Sequence, residues 1–135
     1  MENNEHQFFI PMIPPTKTYQ EHKLGVNKSG KPFVYEDAEL KAVRNKLTAC
    51  LGQHVPPDKF DGAVRLICRW CFPITGKHKD GEYKTSKPDT DNLQKLLKDC
   101  MTAVGYWKDD AQVASELAEK FYSDVPGLFI KIVSI

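Results

Sequence analysis

Five residues between positions 89 and 110 have the types and spacing for chemistry on a phosphate ester: Asp89, Asp91, Lys95, Asp109 and Asp110. Carboxylates are the hard oxygen donors that Mg²⁺ or Mn²⁺ requires. Gathered around a phosphodiester, they would hold a metal that activates a water and neutralises charge developing on the phosphate. Lys95 follows Asp91 by four residues and so faces the same way on a helix. There a pre-placed cation could stabilise charge on the scissile phosphate or the leaving oxygen. The same residues also have plainer uses. Asp and Thr cap helices, acids suit a helix N-terminus, and an Asp91–Lys95 surface pair would be worth under about 1 kcal/mol. Against capping alone, one cap needs one side chain, yet two carboxylates stand two residues apart and a further acidic pair follows Trp107.

A basic stretch leads into this region. G-K-H-K-D-G-E-Y-K-T-S-K-P at 76–88 sets Lys77, Lys79, Lys84 and Lys87 against Asp80 and Glu82, with His78 among them. Such a loop could seat DNA phosphates or be a solvated surface loop. Cys68 and Cys71 form a C-x-x-C, but they fall in an alternating stretch where positions three apart point to opposite faces. His6, His22, His54 and His78 are scattered, and Cys100 lies on an apolar stripe. Free thiols are the expectation, with zinc the alternative. An EF-hand would need different residues at Leu93, Gln94 and Cys100, and neither a phosphate-binding glycine loop nor a nucleophile elbow is present.

The elements that must position these residues follow from periodicity. Q-F-F-I-P-M-I at 7–13 is strand-like, with Pro11 favouring an edge or a strand end. Residues 16–32 are polar, with Gly25 and Gly30, and predict a mobile loop or loose hairpin. Leu40, Val43, Leu47 and Cys50 predict a helix from about Asp37 to Leu51, closed by Gly52. Val64, Leu66, Cys68, Trp70 and Phe72 alternate as one face of a strand. Leu93, Leu96, Leu97, Cys100, Met101 and Val104 predict a second helix ending at Gly105, with Asp91, Lys95, Lys98 and Thr102 on its opposite face. Lys87, preceding a proline, should be extended, so the turn into this helix falls at about Asp89 to Asp91. Residues 112–123 read as a strand, although A-S-E-L-A-E-K also fits a helix. Val125-Pro126-Gly127 turns the chain into a last strand.

The expected architecture is α+β, a mixed α/β single domain over residues 1–135 with a small mixed β-sheet and two main helices. A length of 135 residues suits one core, and 41% hydrophobic with 27% charged residues is ordinary for a soluble globular protein. No apolar run approaches the roughly 18 residues of a membrane span. The chain begins M-E-N-N-E, polar and acidic where a secretory signal is basic and then apolar, so a cytoplasmic protein is expected. A net charge of +1 neither favours nor excludes a nucleic-acid partner.

K-P-D-T-D-N-L-Q-K at 87–95, followed by G-Y-W-K-D-D-A-Q-V at 105–113, closely resembles the RusA family of Holliday junction resolvases. In that family D-x-D-N-L-x-K opens a helix and an aromatic-x-D-D pair follows about fifteen residues later. V-P-G at 125–127 fits its last hairpin, and Ile13-Pro14-Pro15 its N-terminal strand end. T-K-T-Y-Q at 16–20 departs from the Asn-rich loop of many relatives, so no loop contact is carried over there. The resemblance implies a RusA-like domain in which Asp89, Asp91 and Asp110 bind metal and are catalytic, Lys95 is the catalytic lysine, and Asp109 is adjacent and supporting. It further implies a homodimer that requires Mg²⁺, with Mn²⁺ as a substitute. Such a dimer nicks opposing strands of four-way branched DNA symmetrically, in recombination and repair, and is commonly encoded by phages and prophages in a bacterial host.

A helix over 91–104 would span about 20 Å, with Asp91 at its start and Asp110 beyond its end. Either the chain doubles back sharply after Gly105, or a two-fold dimer sets two such helices antiparallel so that Asp110 of one subunit joins Asp89 and Asp91 of the other. The shared site is the expectation. Rival readings are a non-catalytic branched-DNA-binding protein, whose binding would ignore Mg²⁺, and a flap or branch nuclease.

Overall fold

The computed structural model describes residues 5–16, 18, 23–26, 28–35 and 38–135. Its main sheet has four strands in the order β1 (Glu5–Pro11), β6 (Gly127–Ser134), β4 (Val64–Pro73) and β5 (Val113–Ser123). β6 runs antiparallel to both of its neighbours, β1 and β4, whereas β4 and β5 are parallel. β1 ends at Pro11 on an edge of the sheet, where the missing N–H costs no ladder bond. A separate antiparallel pair, β2 (Lys23–Val26) and β3 (Pro32–Tyr35), falls largely in the stretch expected as a loose hairpin. Lys17, Tyr19 and Gln20 of the T-K-T-Y-Q segment, and Asp37 at the expected start of the first helix, lie outside the described residues.

Parallel neighbours cannot be joined by a tight turn and need a crossover, usually helical. Here the crossover from β4 to β5 carries α2 (Thr90–Val104), and its two ends carry the candidate acids. Val64, Leu66, Cys68, Trp70 and Phe72 are buried on one face of β4, as their alternation predicted. Against them pack Leu93, Leu96, Leu97, Cys100 and Met101 of α2, and Leu40, Leu47 and Leu51 of α1 (Ala38–Gly52), in one continuous core. Gly105 closes α2 in the left-handed region at φ 99°, donating its N–H to the Met101 carbonyl at 3.1 Å, with Tyr106 N–H on the same oxygen at 3.0 Å. Glycine takes that conformation without a Cβ penalty, so the chain can reverse there. Tyr106 and Trp107 are then fully buried, and the reversed chain forms a single 3-10 turn, Asp110–Gln112, before β5. Residues 113–123 are therefore strand, and the helical alternative for A-S-E-L-A-E-K does not hold. Among the described residues, no helix is long and apolar enough to cross a membrane.

Candidate active site: a cleft between α2 and β5

The polar face of α2 and the edge of β5 enclose a cleft of about 760 Å³. Asp91, Lys95 and Asp110, expected from the sequence, line it together with Gln94, Lys98 and Glu116. β5 runs antiparallel to α2. Near the start of the helix, Lys120 on β5 donates to the carbonyls of Ser86 and Pro88, both at 2.7 Å. Midway, Glu116 meets Gln94 and Lys98. At the far end, Trp107 Nε1 donates to Thr102 Oγ1 at 2.7 Å, and Gln112 just before β5 donates to the Phe60 carbonyl at 3.0 Å. The chain thus does double back after Gly105, yet Asp110 sits toward the C-terminal end of α2 while Asp91 sits in its first turn. One cleft joins them, with an acid toward each end.

Asp89 is the N-cap residue of α2, but its side chain makes no cap hydrogen bond. Only its carbonyl is used, accepting from Leu93 N at 3.1 Å. The carboxylate is half exposed and lies 3.7 Å from the Lys87 ammonium. The capping explanation for this acid therefore fails on geometry, leaving its oxygens available to a cation. It is not part of the cleft lining.

Asp109 and Asp110 divide their roles. The Asp109 carboxylate accepts from Ala111 N at 2.9 Å, while Gln112 Oε1 accepts from Lys108 N at 3.0 Å and Asp109 N at 3.2 Å. That reciprocal box caps the 3-10 turn and turns Asp110 toward the cleft. Gln112 also donates to the Gly62 carbonyl at 2.9 Å, tying the turn to the segment before β4. The supporting position expected for Asp109 is thus a cap.

The basic loop is partly committed to itself. Lys84 donates to Ser86 Oγ at 2.7 Å, and its ammonium lies 5.2 Å and 5.1 Å from the ring centroids of Phe72 and Tyr122. Lys77, Lys79 and Lys87 are exposed. His78 pairs with Glu82 and stacks on Tyr122 with centroids 4.1 Å apart; the His78 contact holds the Glu82 carboxyl below its ordinary range. Lys120, whose pKa is lowered by burial and then by neighbouring Lys84, straps the loop to the start of α2. Cys68 is buried beneath α2, where burial pushes its thiol up to about 12, and Cys71 lies on the other face of β4. The two sulfurs cannot converge on one zinc ion, and all four cysteines are free.

Three residues that shape the site are not among those expected from the sequence: Gln94, Glu116 and Lys120. A strand reading of 113–123 puts Glu116, Ala118 and Lys120 on one face at period two, which is the signal that could have found the latter pair. Gln94 carried none, because a polar residue beside an apolar helix stripe looks solvated, and here it is buried.

A cleft with Asp91 and Asp110 toward its ends, and Lys95 and Lys98 beside Asp99 and Glu116 between them, has the carboxylates and ammonium groups that phosphodiester hydrolysis uses, and similar proteins point the same way. Residues 13–133 match the family described as Endodeoxyribonuclease RusA. The crossover junction endodeoxyribonuclease rusA of Lactococcus phage r1t is 31% identical over 139 residues, covering 97% of this chain and 98% of its own length. Protein YqaN of Bacillus subtilis (strain 168) is 29% identical over 119 residues, covering 80% of this chain and 83% of its own. The crossover junction endodeoxyribonuclease RusA of Escherichia coli (strain K12) is 27% identical over 111 residues, covering 82% and 78%. The chain belongs to the RusA family of endodeoxyribonucleases.

Proposed function

We propose that this protein is a Mg²⁺-dependent, structure-selective endodeoxyribonuclease that resolves four-way DNA junctions by paired symmetric nicks. The observation that carries the reading is the acid-ended cleft along α2 in a chain whose relatives are named for cutting crossover junctions. Asp89, Asp91 and Asp110 are the residues that would hold the metal. Mg²⁺ is typically bound by one or two carboxylates, waters and substrate phosphates, so open, oxygen-bearing side chains suit it and a closed protein cage is not required. When bound, the metal supplies a more acidic water and charge neutralisation at the phosphate. Lys95, on the same helix face as Asp91, offers the phosphate a cation. Lys77, Lys79 and Lys87 reach the flanking backbone, and Lys84 braces the loop they stand on.

The working unit is a homodimer with shared sites. Two supports come from the fold. Asp91 and Asp110 lie toward opposite ends of one cleft, so an antiparallel partner would bring Asp110 of one subunit to Asp89 and Asp91 of the other. β5 is also an edge strand: residues 81–84 pair with it at 120–122 and the Val113 N–H bonds back to the Asp110 carbonyl, but no backbone hydrogen bond joins residues 114–119 to any described residue outside β4. An unpaired edge is a template for a second strand, and Leu117 stands exposed on it. Two such edges meeting about a two-fold axis would set the α2 helices antiparallel and match the symmetry of a four-way junction. A cytoplasmic location in a bacterial host, with a phage or prophage origin, completes the reading.

The test is an end-labelled four-way junction beside a linear duplex of matched sequence, each with Mg²⁺ or EDTA. Symmetric paired nicks in the junction alone, lost in EDTA, are expected. Junction binding without cutting under any divalent metal would overturn the enzyme reading in favour of a binding protein, and cutting of flaps in preference to junctions would overturn the substrate.

A further inference from the structure

The middle of the cleft holds a braced cation. Gln94 is 4% exposed, and its Oε1 accepts from Trp70 Nε1 at 2.7 Å. An indole N–H can only donate, so the orientation of the Gln94 amide is determined and its NH₂ must face away from Trp70. That NH₂ donates to Glu116 Oε2 at 2.7 Å, and the other carboxylate oxygen accepts from Lys98 Nζ at 3.0 Å. A contact thus runs from the fully buried Trp70 on β4, through α2, to an ion pair on the cleft wall. The Lys98 and Glu116 side chains are 23% and 29% exposed, so the pair is neither buried nor free to wander. Lys98 lies seven residues after Asp91 and three after Lys95, on the same helix face.

A surface ion pair between two long side chains ordinarily loses much of its gain to the entropy of holding them still. Here that cost is reduced, because Glu116 is fixed by a buried amide and Lys98 has only to meet a stationary partner. A site that must present charge to a substrate gains from such support. We propose that Lys98 is a second phosphate-binding cation of the cleft, seated between the acids toward its two ends, and that Glu116 and Gln94 are the positioning residues that hold it there. The inference rests on the junction-cutting reading and adds to it a contact for the strand beyond the scissile phosphate.

The experiment measures binding of a four-way junction in EDTA across a salt series, and then cutting in Mg²⁺, for the parent, Lys98→Met, Lys98→Arg and Glu116→Gln. Lost phosphate contacts flatten the salt dependence, so Lys98→Met should lower the slope of log K against log salt by about 1, while Lys98→Arg keeps it. Glu116→Gln keeps the cation but removes its anchor. It should hold the slope and lower kcat on the order of 10-fold, as loss of a supporting residue does. Thermal melting checks that each variant is folded. An unchanged slope in folded Lys98→Met overturns the role given to Lys98. Undiminished kcat with tighter binding in Glu116→Gln would make Glu116 a mere counter-charge and overturn the positioning role. A parent that cuts junctions while Lys98→Met matches its slope removes this inference alone, whereas a parent that neither binds nor cuts removes both readings.

Discussion

At the scale of single residues, neighbouring acids of the same type have been given different work by a few hydrogen bonds. Asp109 caps a turn and Asp110, its neighbour, faces the cleft. Asp109→Ala should therefore lower stability by about 1 kcal/mol in a urea titration, as loss of a capping side chain does, and leave junction cutting intact. Asp110→Asn should do the reverse. Cutting lost in Asp109→Ala without loss of stability would contradict that division. The buried Cys68 thiol gives a pH dependence. Its pKa is raised by burial to about 12 from 9.0, so its contribution to stability is whole below about pH 9 and is lost as pH climbs toward 12, because the unfolded chain ionises first. Denaturation midpoints should fall between pH 8.5 and about pH 11 in the parent and fall less in Cys68→Val. The acids themselves were legible in the sequence because D-x-D and D-D are short-range patterns. The partners of Glu116 were not, since they lie 18 and 22 residues away along the chain and meet it only through packing.

At the scale of elements, periodicity placed both helices and the strands β1, β4 and β6 close to where they stand, and it left β5 open between strand and helix. The ambiguity has a physical cause. The residues of β5 lie on an edge, where Leu117 is exposed and the apolar alternation of a buried strand is broken, so only the parallel ladder with β4 decides the matter. The turn before β6 depends on a different constraint. A Cβ added at Gly127 would run into the Phe9 ring and stand 2.6 Å from the Ile10 carbonyl oxygen, where β1 pairs with β6. Gly127→Ala should accordingly cost about 1–3 kcal/mol, the usual range for overpacking, seen as a lowered thermal midpoint. A midpoint equal to that of the parent would mean that β1 moves aside freely. The need for a glycine here was invisible in the sequence, where V-P-G reads simply as a turn.

At the scale of the whole molecule, the decisive feature is that a single chain spreads its acids along a cleft. The sequence already implied this separation, because the length of a helix follows from its residue count. It could not show that the chain would reverse at Gly105 and still leave Asp110 at the far end, which depends on the anchoring of Trp107 and Gln112. A dimer with shared sites makes a demand that no monomeric enzyme meets. Asp91→Asn and Asp110→Asn proteins should each be unable to cut a four-way junction. When they are mixed and allowed to exchange subunits, half-sites recombine. A mixed dimer then carries one site with both aspartates and one site with neither. The measurement to make is junction cutting by that mixture. Recovered activity that nicks one strand per junction, without the paired nick opposite, is the expected result. A mixture as inert as its components, in a preparation where subunit exchange has been verified, would contradict the shared site and assign Asp91 and Asp110 to a centre within one chain.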